Sequence, residues 1–144
     1  MVGHYTLKFI DHLKCAEGFS SRPYKCPAGK LTIGYGRNLE ARGITVSEAE
    51  YLLENDADDA WAAAQCFAGE RWPAPDLTDA RAAALASLAF NVGAETLSAF
   101  TRLRAAVRAG KYRTAAAEML NSAWAKQVPA RAALLASWMR TGCW

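Results

Sequence analysis

The chain has 144 residues, 52% of them hydrophobic and 22% charged, and a net charge of +3. That length is one domain's worth and buries about two-thirds of the unfolded surface, so a core needs neither disulfides nor a metal. No apolar run approaches the roughly 20 residues of a membrane-spanning helix, which excludes that class.

The opening stretch, MVGHYTLKFIDHLK, holds no uninterrupted apolar segment and no small-residue cleavage site. No secretory signal is therefore expected, and the chain should accumulate in the cytosol. Leu7, Ile10 and Leu13 recur at helical spacing and predict a short amphipathic helix over 5–16, ending near Glu17-Gly18. Residues 19–37 are punctuated by Pro23, Pro27, Gly29, Gly34 and Gly36 and contain the strand-forming KLTIGYG, which predicts a hairpin or a small three-stranded sheet. Thr45, followed three residues later by Glu48, is a capping box with Thr45 as N-cap. The apolar stripe from Ala49 through Leu52, Leu53, Ala60, Trp61 and Ala64 to Phe67 then predicts a long helix over about 46–67. Acidic residues crowd its first half, where the helix dipole favours them. Gly69 stops it, and RWPAPDL reads as a linker.

Beyond Thr78 the pattern is helical in shorter pieces. A helix over 79–91 is apolar almost all round and exits through Asn-Val-Gly; others cover 101–109, ended by Gly110, and 112–120; the last runs from Pro129 to about Arg140. The fold class is α+β and mostly helical. A sheet lobe over about 17–45 leads through the helix of 46–67 to a helical lobe over about 68–144, against which helix 5–16 packs. Such a layout leaves a cleft between lobes, the default place for a ligand.

Charge is unevenly spread. Residues 1–100 carry 9 Lys+Arg against 13 Asp+Glu, net −4, whereas residues 101–144 carry 8 against the single Glu118, net +7. The basic last third suits an anionic partner, either nucleic acid or an anionic polymer such as a bacterial wall, unless its cations simply solvate helix faces. No two of Cys15, Cys26, Cys66 and Cys143 stand in a C-x-x-C spacing, and His4 and His12 lie far from three of them. No metal site and no cofactor are expected, and the thiols should be reduced and mostly buried.

Glu17, Cys26 and Thr32 are separated by nine and six residues. If Cys26 sits opposite Thr32, a five-residue loop joins them and both side chains share one face. That face would look toward the end of the first helix, where Glu17 stands. A carboxyl group facing a small polar pair able to hold one water suits glycoside hydrolysis, in which an acid protonates the leaving oxygen and a group opposite delivers water. A glutamate merely solvated at a helix end is the plainer account of the same residues.

The pattern Glu17-x8-Cys26-x5-Thr32, followed by Ile-Gly-Tyr-Gly, resembles the Glu-x8-Asp/Cys-x5-Thr signature of the phage-type, T4-like lysozymes and endolysins, glycoside hydrolase family 24. GITVSEAEYLLENDADDA is similar to the start of that family's long inter-lobe helix, RAAALASLAFNVG to its buried helix, and SAWAKQVPARAALLASWMRTGCW to its closing segment. The resemblance covers nearly the whole chain in order, and the family's fold agrees with the one read from periodicity.

The resemblance implies a single catalytic domain over 1–144 that hydrolyses the β-1,4 bond between N-acetylmuramic acid and N-acetylglucosamine. Glu17 would be the general acid, with a pKa raised by partial burial, and Thr32 would seat the catalytic water. Cys26 stands where many members have Asp. It would need its pKa lowered, by cations such as Lys25 or Lys30, to serve as base or nucleophile. Asn38, Phe90, Asn91, Glu118 and Arg131 match substrate-contacting positions, with Arg131 facing the catalytic Glu across the cleft. Tyr24 and Tyr35 are further sugar platforms or plain strand packing. The resemblance also implies a monomer acting on peptidoglycan, without nucleic acid or stable membrane insertion, held in the host cytoplasm until a holin-type membrane lesion releases it. Two other functions fit parts of the sequence: a lytic transglycosylase, which would not need Thr32 to hold water, and a non-catalytic module binding cell wall or nucleic acid through the basic third.

Overall fold

The computed structural model of the chain describes residues 6–144, so His4 and the predicted helix start at residue 5 lie outside the described residues. The chain divides into two compact units, one ending at Glu50 and the other spanning Tyr51–Trp144.

The first unit begins with α1, Leu7–Glu17, closed by the Gly18 N–H donating to Lys14 O at 3.1 Å. Strands β1 (Ser20–Lys25), β2 (Leu31–Gly34) and β3 (Arg37–Asn38) form an antiparallel sheet in the order β1-β2-β3. This is the three-stranded form of the predicted sheet. A one-turn helix, α2 (Leu39–Arg42), follows at once, because the Asn38 Oδ1 accepts the Ala41 N–H at 3.0 Å and so starts a turn.

The long helix α3, Val46–Ala68, opens on the predicted capping box. The Thr45 N–H donates to Glu48 Oε2 at 2.7 Å, and the Glu48 N–H donates to Thr45 Oγ1 at 3.2 Å. The same Glu48 carboxylate takes a two-pronged bond from Arg37 of β3, at 2.5 and 3.1 Å, and Arg37 also donates to Gly43 O at 3.0 Å. One carboxylate thus ties the last strand to the first turn of α3. The Arg37 guanidinium, helped by the Thr45 N–H, holds the Glu48 carboxyl at about 2, well below the usual carboxylate range.

In the second unit α3 continues to Ala68, followed by a 3₁₀ turn at Gly69–Arg71, α4 (Asp79–Val92), α5 (Ala94–Ser98), α6 (Thr101–Arg108), α7 (Tyr112–Leu120), α8 (Ala123–Gln127) and α9 (Pro129–Thr141). Pro129 occupies the first turn of α9, where its missing N–H costs nothing. The core gathers Leu85, Leu88, Leu97, Leu103, Val107, Met119 and Met139, all fully enclosed, each leucine contributing about 1.5–3 kcal/mol by burial. Helix α9 packs on α4 and α7. Buried alanines at 115 and 116 of α7 and at 132 and 136 of α9 leave room for that approach.

The helix ends are closed by arginines. Arg81 of α4 donates to Met139 O at 2.9 Å and Arg140 O at 3.2 Å at the end of α9, and its guanidinium lies 4.0 Å from the Tyr112 ring centroid. Arg108 of α6 donates to Phe67 O at 3.0 Å and Cys66 O at 3.2 Å at the end of α3. Part of the basic last third therefore serves orphan helix carbonyls. The ion pairs among the described residues lie before that third, at Lys30–Glu40, Arg37–Glu48 and Arg71–Asp76.

The predicted linker RWPAPDL begins at the end of the 3₁₀ turn Gly69–Arg71 and runs on in turns, and α2, α5 and α8 are additions to the predicted elements. The thiols also differ from expectation: Cys15, Cys66 and Cys143 are exposed and Cys26 is half-buried, all four unpaired. Among the described residues no helix is long and apolar enough to cross a membrane.

Candidate active site

The sheet sets most of the geometry in the first unit. Across its three strands Tyr24 faces Thr32 and Thr32 faces Asn38. Cys26 is not opposite Thr32, as the spacing had suggested. Its N–H donates to Lys30 O at 3.0 Å, and its carbonyl accepts the Gly29 N–H at 2.7 Å. The hairpin turn is therefore tight, three residues long rather than five, because Pro27-Ala28-Gly29 close it with a local hydrogen bond. Cys26 and Thr32 still share a face, since side chains two residues apart on a strand point the same way, but as diagonal neighbours.

The Cys26 thiol is held below its ordinary value. Hydrogen bonding to the Lys30 backbone is the largest cause; partial burial opposes it; the Ala28 backbone, the Thr32 hydroxyl and the backbone of Cys26 itself add to it. The lysine charges expected to activate the thiol are not the cause. The Lys30 ammonium is instead paired with Glu40 at 3.4 Å. Thr32 is buried on β2, 3% exposed, and its hydroxyl donates to Lys30 O at 3.0 Å. That one proton serves Lys30 O here and stabilises a thiolate when turned to the Cys26 sulfur, while the oxygen's lone pairs remain to accept from a water.

Glu17 is the last residue of α1, and its side chain is exposed. The partial burial expected of it is absent from the first unit, where it shares an open pocket of about 320 Å³ with Ile10, Leu13, Lys14 and the Tyr35-Gly36 turn. Asn38 has its Oδ1 engaged as the cap of α2, leaving the amide NH₂ group to donate. Tyr24 is partly exposed on the Thr32 row. Tyr35 packs against Phe19, ring centroids 5.3 Å apart, with both rings largely exposed. Phe19 and the Arg37–Glu48 tie were missed from sequence; alternation around Ser20–Lys25 is too broken by Pro23 to flag either.

The remaining predicted residues belong to the second unit. Phe90 and Arg131 line one open groove of about 500 Å³, together with Leu53, Trp61, Leu134 and Trp138. Phe90 is 49% exposed and so is not core packing. Glu118 lies in a separate, more polar pocket of about 370 Å³ with Thr96, Arg102 and Asn121. Asn91 lines neither. Its Oδ1 accepts the indole N–H of the buried Trp124 at 2.6 Å, and the end of α4 is closed by Gly93, not by Asn91. The structure thus gathers Cys26, Thr32 and Asn38 on one sheet with Glu17 at its β2–β3 turn, gathers Phe90 with Arg131, and leaves Asn91 and Glu118 apart.

Three comparisons bear on this arrangement. The family model for phage lysozyme matches residues 14–136, which includes Glu17, Cys26, Thr32, Phe90 and Arg131. An endolysin of Acyrthosiphon pisum secondary endosymbiont phage 1 is 32% identical over 126 residues, covering 85% of this chain and 81% of that protein. A probable T4-type lysozyme 2 of Dictyostelium discoideum is 30% identical over 158 aligned positions, covering 92% of this chain and 93% of its own.

Proposed function

The chain belongs to the phage lysozyme family, and from that membership we propose that it is an endolysin of the muramidase type, cutting the β-1,4 bond between N-acetylmuramic acid and N-acetylglucosamine and so lysing a bacterial host. The coarser activity is that of a lysozyme, a glycosidase of peptidoglycan. The single observation that carries the finer reading is the sheet of the first unit. It presents a thiol of lowered pKa beside a buried threonine, with a carboxylate at the adjoining turn, in the residue types and order of the Glu-x8-Cys-x5-Thr pattern.

In the proposed reaction the Glu17 carboxyl gives its proton to the glycosidic oxygen as the bond from that oxygen to the anomeric carbon breaks. The positive charge left on the sugar is met in one of two ways. Water held by Thr32 attacks the anomeric carbon and loses a proton to the Cys26 thiolate, which inverts configuration. Alternatively the thiolate itself attacks, and water later displaces it, regenerating the thiolate with net retention; there the second proton returns to Glu17. The anomeric configuration of the first product separates the two. Phe90 and Arg131 of the second unit would contact sugar, Asn38 and Asn91 would donate through their free amide NH₂ groups, and Glu118 would contact a more distant part of the strand.

We also take residues 1–144 to act as one catalytic domain, and the protein to work as a monomer. It would wait in the host cytoplasm for a holin-type membrane lesion. The test is Glu17→Gln, which keeps shape and cannot donate a proton. Its turnover on purified peptidoglycan should fall by about 10²- to 10⁴-fold with the fold unchanged. Wild-type products should carry a free reducing end, one water heavier than the anhydro sugar of a transglycosylase. Wild-type clearing by Glu17→Gln, or anhydro products, would overturn the assignment.

A further inference from the structure

Glu17 must be held in place to donate a proton to one oxygen, yet among the described residues no hydrogen bond or ion pair holds its carboxylate. What gives it room is a glycine. Gly36, the second residue of the turn between β2 and β3, lies so close that a β-carbon built on it would stand 2.9 Å from Glu17 Oε2, 3.4 Å from Cδ and 3.7 Å from Cγ. Ordinary carbon contacts begin at about 3.5 Å. Gly36 also has φ of +81°, a region that side chains disfavour. Two separate demands, one of conformation and one of space, thus fall on this residue.

Gly34 separates the two demands. It lies two residues earlier, has φ of +67°, and a β-carbon built there meets nothing within 4 Å. Backbone strain is common to both glycines; contact with Glu17 belongs to Gly36 alone. Local folding explains the contact. The α1 helix ends at Glu17, the chain reverses at Gly18 into β1, and the sheet then returns the β2–β3 turn to the end of α1.

We propose that Gly36 is a positioning residue for the reaction: the Glu17 carboxyl occupies the space a side chain at Gly36 would take, and the absence of that side chain sets where the proton is delivered. The inference rests on the reading of Glu17 as general acid. A methyl group at Gly36 would push the carboxyl aside by about half an ångström to one ångström. Misplacement of a catalytic group by that distance costs about 10- to 100-fold in rate. Substrate contacts made elsewhere are untouched, so the loss should fall on kcat and leave KM in place.

The experiment compares Gly36→Ala with Gly34→Ala in the full chain, reading kcat and KM on soluble peptidoglycan fragments and thermal stability in parallel. Gly36→Ala is expected to lose about 10- to 100-fold in kcat at unchanged KM, and Gly34→Ala to keep a kcat near wild type. A second arm places both changes in a Glu17→Gln background, where the acid is already gone and Gly36→Ala should take no further rate from the residual turnover. Thermal stability checks that every variant folds; the exposed Glu17 side chain moves aside at little cost, so no extra destabilisation is expected of Gly36→Ala. Equal kcat for Gly36→Ala and Gly34→Ala, or an undiminished further loss from Gly36→Ala in the Glu17→Gln background, would overturn the positioning role. A fully active Glu17→Gln would instead overturn the reading beneath it, so the two failures are distinguishable.

Discussion

Asn91→Ala should reduce stability before it reduces substrate affinity. The Asn91 Oδ1 accepts the indole N–H of Trp124 at 2.6 Å, and Trp124 is only 5% exposed. Removing the acceptor leaves that donor buried without a partner, which costs about 1–3 kcal/mol, whereas the bond itself contributes a net of only about 1 kcal/mol. For a domain of this size each kcal/mol lowers Tm by about 3–5 °C, so the expected drop is about 3–15 °C. The asymmetry gives a sharp control. Asn91 is itself exposed, so when Trp124→Phe removes the donor the amide turns to water. In that background Asn91→Ala should cost within about 0.5 kcal/mol, as at an ordinary surface site. Thermal and urea unfolding of the four proteins closes the cycle. If Asn91→Ala unfolds at the wild-type temperature but raises KM, the amide serves sugar and the hydrogen bond to Trp124 is incidental.

Cys26→Ala should lower kcat by about 10²-fold or more, the scale of lost proton-acceptor work, while Cys26→Asp keeps most activity by restoring a carboxylate; near-wild-type turnover in a folded Cys26→Ala would make the thiol structural. For Glu48, the folded carboxyl is held at about 2 by Arg37 and the Thr45 N–H, against about 4.3 when unfolded. Because the folded value is depressed, the contribution is complete above the unfolded value and disappears as pH falls through the folded one. Tm measured from pH 5 down to pH 2 should therefore fall less steeply in Glu48→Gln than in wild type, and parallel curves would refute the coupling.

Much of the fold was legible because its signals are local. Thr45 and Glu48 satisfy each other's backbone across one helical turn, so the start of α3 is written in four residues. Pro129 and Gly93 mark helix boundaries for the same reason: a missing N–H and a positive φ are properties of single residues. The short helices α2, α5 and α8 were missed because four or five residues complete too little of a 3.6-residue period to show one. For α2 and α8 the caps were the available signal, as Asn38 and Ser122 each accept the N–H three residues on, whereas α5 has no side-chain cap.

The site divides along the same line. The sequence by itself determined which groups are present and in what order: one glutamate at a helix end, a thiol and a threonine in a hairpin, and enough matching segments to name the family. It placed Cys26 and Thr32 on a common face, because strand side chains alternate. Tertiary structure decided the rest. The register depended on whether Pro27-Ala28-Gly29 or a longer loop closed the hairpin, a difference of one hydrogen-bonded pair that periodicity of two does not resolve. The cause of the lowered thiol pKa depended on which donors that register brought to sulfur, and backbone groups prevailed over the lysine charges. Contacts between distant segments, Gly36 against Glu17 and Asn91 beneath Trp124, leave no trace in spacing, because close approach in space is set by the sum of all the chain between them.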